Sequence, residues 1–257
     1  MSGNPWQARH RFFVDQPFIL GTPCSLDPIA RQLATVLRLA PGQTIIAING
    51  DGREVLVELQ SVTSRSAAGR VIDQRPCAGD PTRDLILFQC SLKQDKFEWV
   101  LQKGTELGVT RFVPVVSARS VVRPAVALHK KYDRWQAVIR EAVEQCGRSR
   151  LPLLAPPIEW PALALPQDCH GFVAWEAADG APDLATAVAA LPLAADVTRP
   201  GIALLIGPEG GLTAEEVAGA AAGGWQVVSL GPRILRAETA ALAAVTMALA
   251  AAGKFGA

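Results

Sequence analysis

The chain has few residues of the kinds that build metal sites or disulfide frameworks. It has five cysteines and three histidines in 257 residues. Cys24, Cys77, Cys90, Cys146 and Cys169 contain no C-x-x-C pair, so no zinc pattern is present and no metal is expected. They are expected to be free thiols kept reduced in a cytosol. Long unbroken apolar runs are missing too. The alanine-rich segments are interrupted by polar residues, glycine or proline, and the opening MSGNPWQARHRFFV lacks a continuous apolar core, so neither a membrane span nor a signal peptide is expected. A strong excess of one charge is also absent. The net charge of +1 excludes a uniformly basic polymer-binder, so any surface for a polyanion must be local. G-x-G-x-x-G and G-x-x-x-x-G-K-[ST] do not occur, which leaves no positive sign of a nicotinamide cofactor or a nucleoside triphosphate.

What is present is 49% hydrophobic content, enough for a large core and a smaller one beside it. The first 72 residues read as a small β-rich, barrel-like module. RFFV, TIIAI at 44–48 and VLVEL at 55–59 are its strands, and Asn49-Gly50-Asp51-Gly52 between the last two signals a hairpin. Ile29, Leu33, Val36 and Leu37 carry a helical spacing over 28–39. Residues 73–83, DQRPCAGDPTR, have no periodicity and read as a linker.

From 84 to 257 apolar runs alternate with amphipathic segments, the pattern of an α/β fold with a parallel sheet. Strands are expected at 85–92, 112–116, 171–176, 202–207 and 225–230. Helices are expected at 96–107, 128–146, about 184–191, 214–222 and 238–252. Gly108 stands where a C-terminal cap belongs, and Thr213 with Glu216 forms a T-x-x-E capping box. The helix at 128–146 is expected to bury Leu128, Tyr132, Trp135, Ile139, Val143 and Cys146 and to leave its cations outside. Between 119 and 150, Arg119, Arg123, Lys130, Lys131, Arg134, Arg140, Arg148 and Arg150 outnumber Asp133, Glu141 and Glu144. Singly each fits a solvated helix face, and as a cluster they fit phosphate contacts.

Two loops follow apolar strands and precede helices, where open parallel sheets bind ligands. They are Gly207-Pro208-Glu209-Gly210-Gly211-Leu212-Thr213 and Leu230-Gly231-Pro232-Arg233-Ile234-Leu235-Arg236-Ala237-Glu238-Thr239. Glycine lets the backbone approach a ligand closely, but such a turn is more often only structural.

The strings LLIGPEGGLTAEEV and SLGPRILRAETAAL resemble the C-terminal signature of the ribosomal RNA small-subunit methyltransferase E family, uridine-N3 methyltransferases of the knotted SPOUT superfamily. Lys93-Gln94-Asp95-Lys96, residues 102–108 (QKGTELG) and 141–148 (EAVEQCGR) fit the same family in order. RHRFFV and ATVLRLAPGQ are similar to its leading PUA-like RNA-binding module. Ala118, Ala237 and Gln32 depart from residues common in the family, Glu, Thr and His respectively. The resemblance implies a trefoil-knotted parallel sheet with helices on both faces, an exception to the rule against threaded connections. It also implies S-adenosyl-L-methionine bent against Ile206, Gly207, Pro208, Glu209, Gly210, Gly211, Leu230, Gly231, Ile234, Leu235, Arg236 and Thr239. A homodimer with its active site at the subunit interface is implied as well, acting in the cytoplasm on small-subunit (16S) ribosomal RNA, within the assembled 30S particle.

Methyl transfer to uridine N3 needs alignment of the two reactants and a cation facing the charge that spreads onto O2 and O4 of the base. Arg236 is the first choice for that cation and Arg148 the second. Glu238 either accepts the proton or complements the helix dipole, and the second reading is slightly favoured. Arg9, Arg11, Arg38, Lys103, Arg119, Arg123, Gln145 and Arg148 are the RNA-contact candidates, although Lys103 and Glu106 also suit an i, i+3 ion pair. Glu209 serves cofactor, RNA or its own turn. Trp99, Trp135 and Trp175 read as core or interface aromatics. The alternatives are a ribose 2′-O methyltransferase of the same fold and a non-catalytic RNA-binding assembly factor, with a nucleotide-dependent oxidoreductase weaker than either.

Overall fold

A computed structural model of the chain describes residue 6 and residues 10–93, 95–191 and 200–253. These fall into two compact units, one comprising residues up to Asp80 together with Arg140–Leu151, the other Pro81–Ile139 and the chain from Pro152 onward.

The first unit is built on strands β1 (Arg11–Phe13), β2 (Pro23–Ser25), β3 (Thr44–Ile48), β4 (Arg53–Val62) and β5 (Ala67–Pro76), in sheet order β1-β3-β4-β5-β2. β3 and β4 pair antiparallel with Ala47 opposite Val55, as the Asn-Gly-Asp-Gly turn predicts, and Gly50 and Gly52 both take φ of 92°. Alternation then gives the sheet two apolar faces. Ile45 and Ala47 join one cluster with Phe12, Leu26, Leu33 and Val57, while Ile46 and Ile48 join another with Phe13, Leu56 and Val143. Residues 73–76, expected to begin a linker, form the end of β5.

The predicted helix over 28–39 is not a regular one. A 3-10 turn at Asp27–Ile29 is followed by a wide turn at Gln32–Val36, in which the Leu37 N–H donates to Gln32 O and the Thr35 hydroxyl to Arg31 O. The Thr35 hydroxyl bonds the carbonyl four residues back, a contact that also fits inside a regular helix, and Arg38 ends the turn at φ of 54°. The apolar spacing still holds, since Ile29 and Leu33 are buried.

The second unit has the parallel sheet. Its strands are β6 (Leu85–Cys90), β7 (Arg111–Val116), β8 (Leu153–Leu154), β9 (Ile158–Glu159), β10 (Cys169–Ala174), β11 (Gly201–Ile206) and β12 (Gln226–Val228). The order is β12-β10-β11-β6-β7-β8, with β9 also on β7, and every pairing is parallel. Pro114 is accommodated because the outer neighbour is interrupted beside it. β8 pairs with Arg111 and Phe112, and β9 resumes at Val115.

The helices are α1 (Lys96–Leu107), α2 (Tyr132–Cys146), α3 (Leu184–Ala189), α4 (Ala214–Ala222) and α5 (Ala237–Ala251). α1 ends where Gly108 adopts φ of 113°, and α4 starts on the Thr213–Glu216 capping box with both reciprocal bonds formed. α4 and Trp225 cover the face bearing Ile86, Phe88, Val173 and Leu205. The opposite face meets α5, whose stripe of Ala237, Ala241, Ala244 and Ala248 lets the helix lie close to β6 and β11, with α1 and α3 beside it. Helices therefore cover both faces. Phe97 of α1 stacks on Trp135 of α2 at 4.3 Å between centroids, an arrangement that adds about 1 kcal/mol to burial. Of the expected buried residues of α2, Trp135, Ile139 and Val143 are buried, while Tyr132 and Cys146 are half-buried, and Leu128 is buried in the 3-10 turn at Ala125–Lys131 that precedes the helix. No helix among the described residues is long and apolar enough to cross a membrane.

Candidate active site

The sheet of the second unit changes direction between β6 and its neighbour β11. The chain builds outward through β7 and β8, then returns to β10, β11 and β12 on the other side of β6. The loops leaving the carboxyl ends of β10, β11 and β12 converge at one edge, where this topology leaves a crevice. A cavity of about 730 Å³ lies there, in the size range of cofactor sites. Its walls are the segments 174–183, 206–212 and 229–237, with Lys96 and Ala240.

Each wall is fixed by its own hydrogen bonds. In the loop after β11 the Gly211 N–H donates to Pro208 O at 3.0 Å, and Gly211 takes φ of 70°. A Cβ there would stand 2.4 Å from Glu176 Oε1, so the missing side chain is what lets this carboxylate lie against the loop. Glu216 is buried at 7% exposure. One of its oxygens accepts the Thr213 N–H and the other the Ala118 N–H at 2.7 Å. The Arg119 guanidinium donates to Gly210 O at 3.0 Å, and the Gln89 amide to Gly207 O at 3.4 Å from beneath. In the loop after β12, Ser229 Oγ accepts the Gly231 N–H, and the Ser229 N–H donates to Pro182 O. The loop from β10 ends at Asp183, which caps α3. The Thr186 hydroxyl and then its N–H hold this carboxyl below the usual range.

Of the residues expected to hold a cofactor, Ile206, Gly207, Pro208, Glu209, Gly211, Leu230, Gly231, Ile234, Leu235 and Arg236 line the cavity, while Gly210 and Thr239 do not. Arg236 is the N-cap of α5, and its guanidinium makes no hydrogen bond or ion pair among the described residues. Glu238 lies in the first turn of α5, where a carboxylate complements the helix dipole. Lys96 Nζ stands 3.3 Å from Glu238 Oε2 and 3.6 Å from Glu209 Oε1, and Glu209 Oε1 also accepts the Lys93 N–H.

The RNA-contact candidates divide. Arg9 lies outside the described residues. Arg11 donates to the buried Glu54, and Lys103 pairs with Glu106 at 2.8 Å. Arg119 and Arg123 are exposed, each with one guanidinium nitrogen on a backbone carbonyl, and Gln145 is exposed. Arg38 is exposed too. Its φ of 54° closes the preceding turn, as residues just beyond a helix end often do. Arg148 belongs to the first unit and is 3% exposed, and burial pushes its guanidinium below its usual range. The basic segment 119–150 is therefore not one outward-facing cluster. Arg134 pairs with Glu98, and Arg140 lies over the Phe13 ring. Trp135 is buried, Trp175 packs at the edge of the main core, and Trp99 is 43% exposed.

An RNA methyltransferase domain model matches residues 79–249, and an RNA methyltransferase PUA domain model matches residues 29–72. The ribosomal RNA small subunit methyltransferase E of Bacillus subtilis is 33% identical over 83% of this chain and 84% of its own length. The chain belongs to the ribosomal RNA small subunit methyltransferase E family. The member from Mycobacterium tuberculosis is 30% identical over 82% of this chain and 80% of its own. The crystal structure of the family member from Neisseria gonorrhoeae, bound to S-adenosyl methionine, superposes with a TM-score of 0.82 at 31% identity. That match covers 94% of this chain and 97% of the other. A methyltransferase from Legionella pneumophila, in complex with the same cofactor, gives 0.81 at 28% identity, covering 94% and 97%. The family's α/β sheet and PUA-type module are thus both present in this chain.

Sequence reasoning did not select the third wall, with Trp175, Glu176, Asp179 and Asp183, nor Lys96. The signal for the wall was available. GFVAWE is an apolar strand like the other two, and a parallel sheet places the loop that follows it at the same edge. Lys96 carried only a motif match, since its partners lie in distant segments.

Proposed function

We propose that this chain transfers a methyl group from S-adenosyl-L-methionine to N3 of a uridine in small-subunit ribosomal RNA. The observation that carries this is the cavity at the carboxyl ends of β10, β11 and β12, in a chain of this family. Its residues fit the cofactor. Ile206, Leu212, Leu230 and Leu235 offer apolar surface for an adenine, the loop backbones offer donors and acceptors for its edge, and Glu176, Asp179 and Asp183 offer acceptors for ribose hydroxyls and an ammonium.

When bound, the cofactor supplies a methyl group on a sulfonium, open to in-line attack. The uncommitted guanidinium of Arg236 then faces O2 or O4 of the base and stabilises the charge that develops there. Glu238 complements the start of α5 and anchors Lys96 rather than taking the proton; the N3 proton passes to water, and N3 attacks as the imide anion that Arg236 stabilises. We assign RNA contacts to the exposed Arg38, Arg119, Arg123 and Gln145, delivered by a PUA-type module whose sheet runs on through Pro76 and a methyltransferase domain from 84 to 257. Arg11, Lys103 and Arg148 take structural roles. The second reading for Arg148 as the stabilising cation is disfavoured by its burial. The working unit is a knotted homodimer in the cytoplasm acting on the assembled 30S subunit. Ile234, 86% exposed on a cavity loop, is an apolar side chain for such a partner to cover.

The test is mass spectrometry of ribosomal RNA nucleosides from cells lacking the gene, before and after their small subunits are incubated with the purified protein and cofactor. N3-methyluridine appearing only with the protein supports the reading. A methylated ribose instead would favour a 2′-O enzyme, and cofactor binding without any methylated nucleoside would favour an assembly factor.

A further inference from the structure

Arg236 is uncommitted in a neighbourhood that should have captured it. Glu238 is two residues away and Glu209 lines the same cavity, yet neither pairs with the guanidinium. Both carboxylates are instead engaged by the one ammonium of Lys96, at 3.3 and 3.6 Å. Glu238 Oε2 is sealed from solvent and accepts no hydrogen bond from the described residues, so the ammonium beside it supplies its compensating charge. Glu209 is further held by the Lys93 N–H at 3.0 Å. The lysine side chain is 35% exposed, at the first position of α1, and joins the start of that helix to two cavity loops.

Resting on the functional reading above, we propose that Lys96 is a positioning residue for methyl transfer, neutralising Glu209 and Glu238 together so that Arg236 stays free to face the substrate base. Without the ammonium, the enclosed Glu238 carboxylate would hold an uncompensated charge, which is costly. The Arg236 guanidinium, on the residue that caps α5, is an available replacement, and its planar fork pairs with a carboxylate through two bonds. Arg236 would then turn inward and be lost to the base. Lysine suits this place because a compact ammonium can serve two carboxylates at once without the fixed geometry of a fork.

The experiment measures kcat, KM for small subunits, cofactor Kd and melting temperature for the full chain as wild type, Lys96→Met, Lys96→Arg, Glu238→Gln and the double variant Lys96→Met/Glu238→Gln. Lys96→Met is expected to lower kcat about tenfold, the scale of coupling between neighbouring charges, with cofactor Kd little changed. Lys96→Arg is expected to recover only part of the rate, because the fork keeps the charge but serves one carboxylate at a time. In the Glu238→Gln background the Lys96→Met substitution is expected to cost much less, because only Glu209, still held by the Lys93 N–H, remains to compete for Arg236. A merely structural lysine would show its loss in melting temperature and in cofactor Kd, so a Lys96→Met protein that keeps both while kcat falls separates positioning from structure. A full rate in Lys96→Met, or a double variant no faster than Lys96→Met, would overturn the proposal. If the wild type binds no cofactor and methylates nothing, the functional reading has failed instead, which the wild-type arm reports by itself.

Discussion

Each unit holds one charge pinned between two of opposite sign, and the two arrangements are built for different ends. In the first unit the Glu54 carboxylate lies between Arg11 at 2.5 Å and Arg75 at 2.7 Å, with only 5% of its side chain exposed. In the second, the Lys96 ammonium lies between Glu238 and Glu209 at 3.3 and 3.6 Å, with 35% exposed. Short bonds to a buried carboxylate commit Arg11 and Arg75 to holding strands β1, β4 and β5 together, although Arg75 keeps 46% of its side chain exposed. The looser trio stands at a cavity and leaves a neighbouring arginine unengaged. Burial with short bonds marks a charge used for structure, and an uncommitted cation beside a cavity marks one available for chemistry.

Breaking the tight trio should have the largest effect. Glu54→Ala leaves the mostly buried Arg11 without its partner, and an uncompensated buried charge costs about 3 to 5 kcal/mol. A fall in denaturant midpoint of that size is expected, and a loss near zero would mean the trio is ornamental. Arg236→Ala should do the reverse, leaving the melting temperature in place while lowering kcat about 100-fold, the scale for removing one preorganised donor to developing charge. Equal losses of stability and rate would erase the contrast between the two sites.

A smaller effect separates the units by pH. Burial raises the Glu144 carboxyl above its usual value, so its contribution to folding is fully present in acid and is lost as pH rises through that raised value. Asp183 is held low by Thr186, so its contribution is present above the ordinary carboxylate range and is lost as pH falls through the lowered value. Glu144→Gln, which keeps an acceptor for the Phe13 N–H, should therefore melt slightly higher than wild type at neutral pH. Asp183→Asn should melt slightly lower there and converge with wild type in acid. Melting curves at the two pH values check both signs.

Much of this was legible where local chemistry decides. Gly108 and the Thr213–Glu216 box fixed the end of α1 and the start of α4, and the apolar runs located the parallel strands and two cavity walls. What escaped were decisions made by tertiary contact. The burial of Arg148 follows from Gly147, whose φ of 88° turns the chain at the end of the basic helix, a reversal that charge counting along that helix does not register. The partnership of Lys96 with Glu238 joins the first turns of α1 and α5, which only the sheet order brings together. The helix expected at 28–39 gave way to two short turns although its periodicity was sound, since Ile29 and Leu33 are buried without a regular helix.

If the cavity edged by the three loops receives the cofactor, filling it must block binding. Ala240 is the residue to use, because the neighbouring Ala241 and Ala244 face the core while Ala240 lines the cavity. Calorimetric titration of S-adenosyl-L-methionine into the wild type and into Ala240→Trp, with circular dichroism as the check on folding, tests it directly. Saturable binding to the wild type is expected, with loss of at least about tenfold in affinity when the indole fills the site. Undiminished binding to a folded Ala240→Trp protein would place the cofactor elsewhere and contradict this assignment.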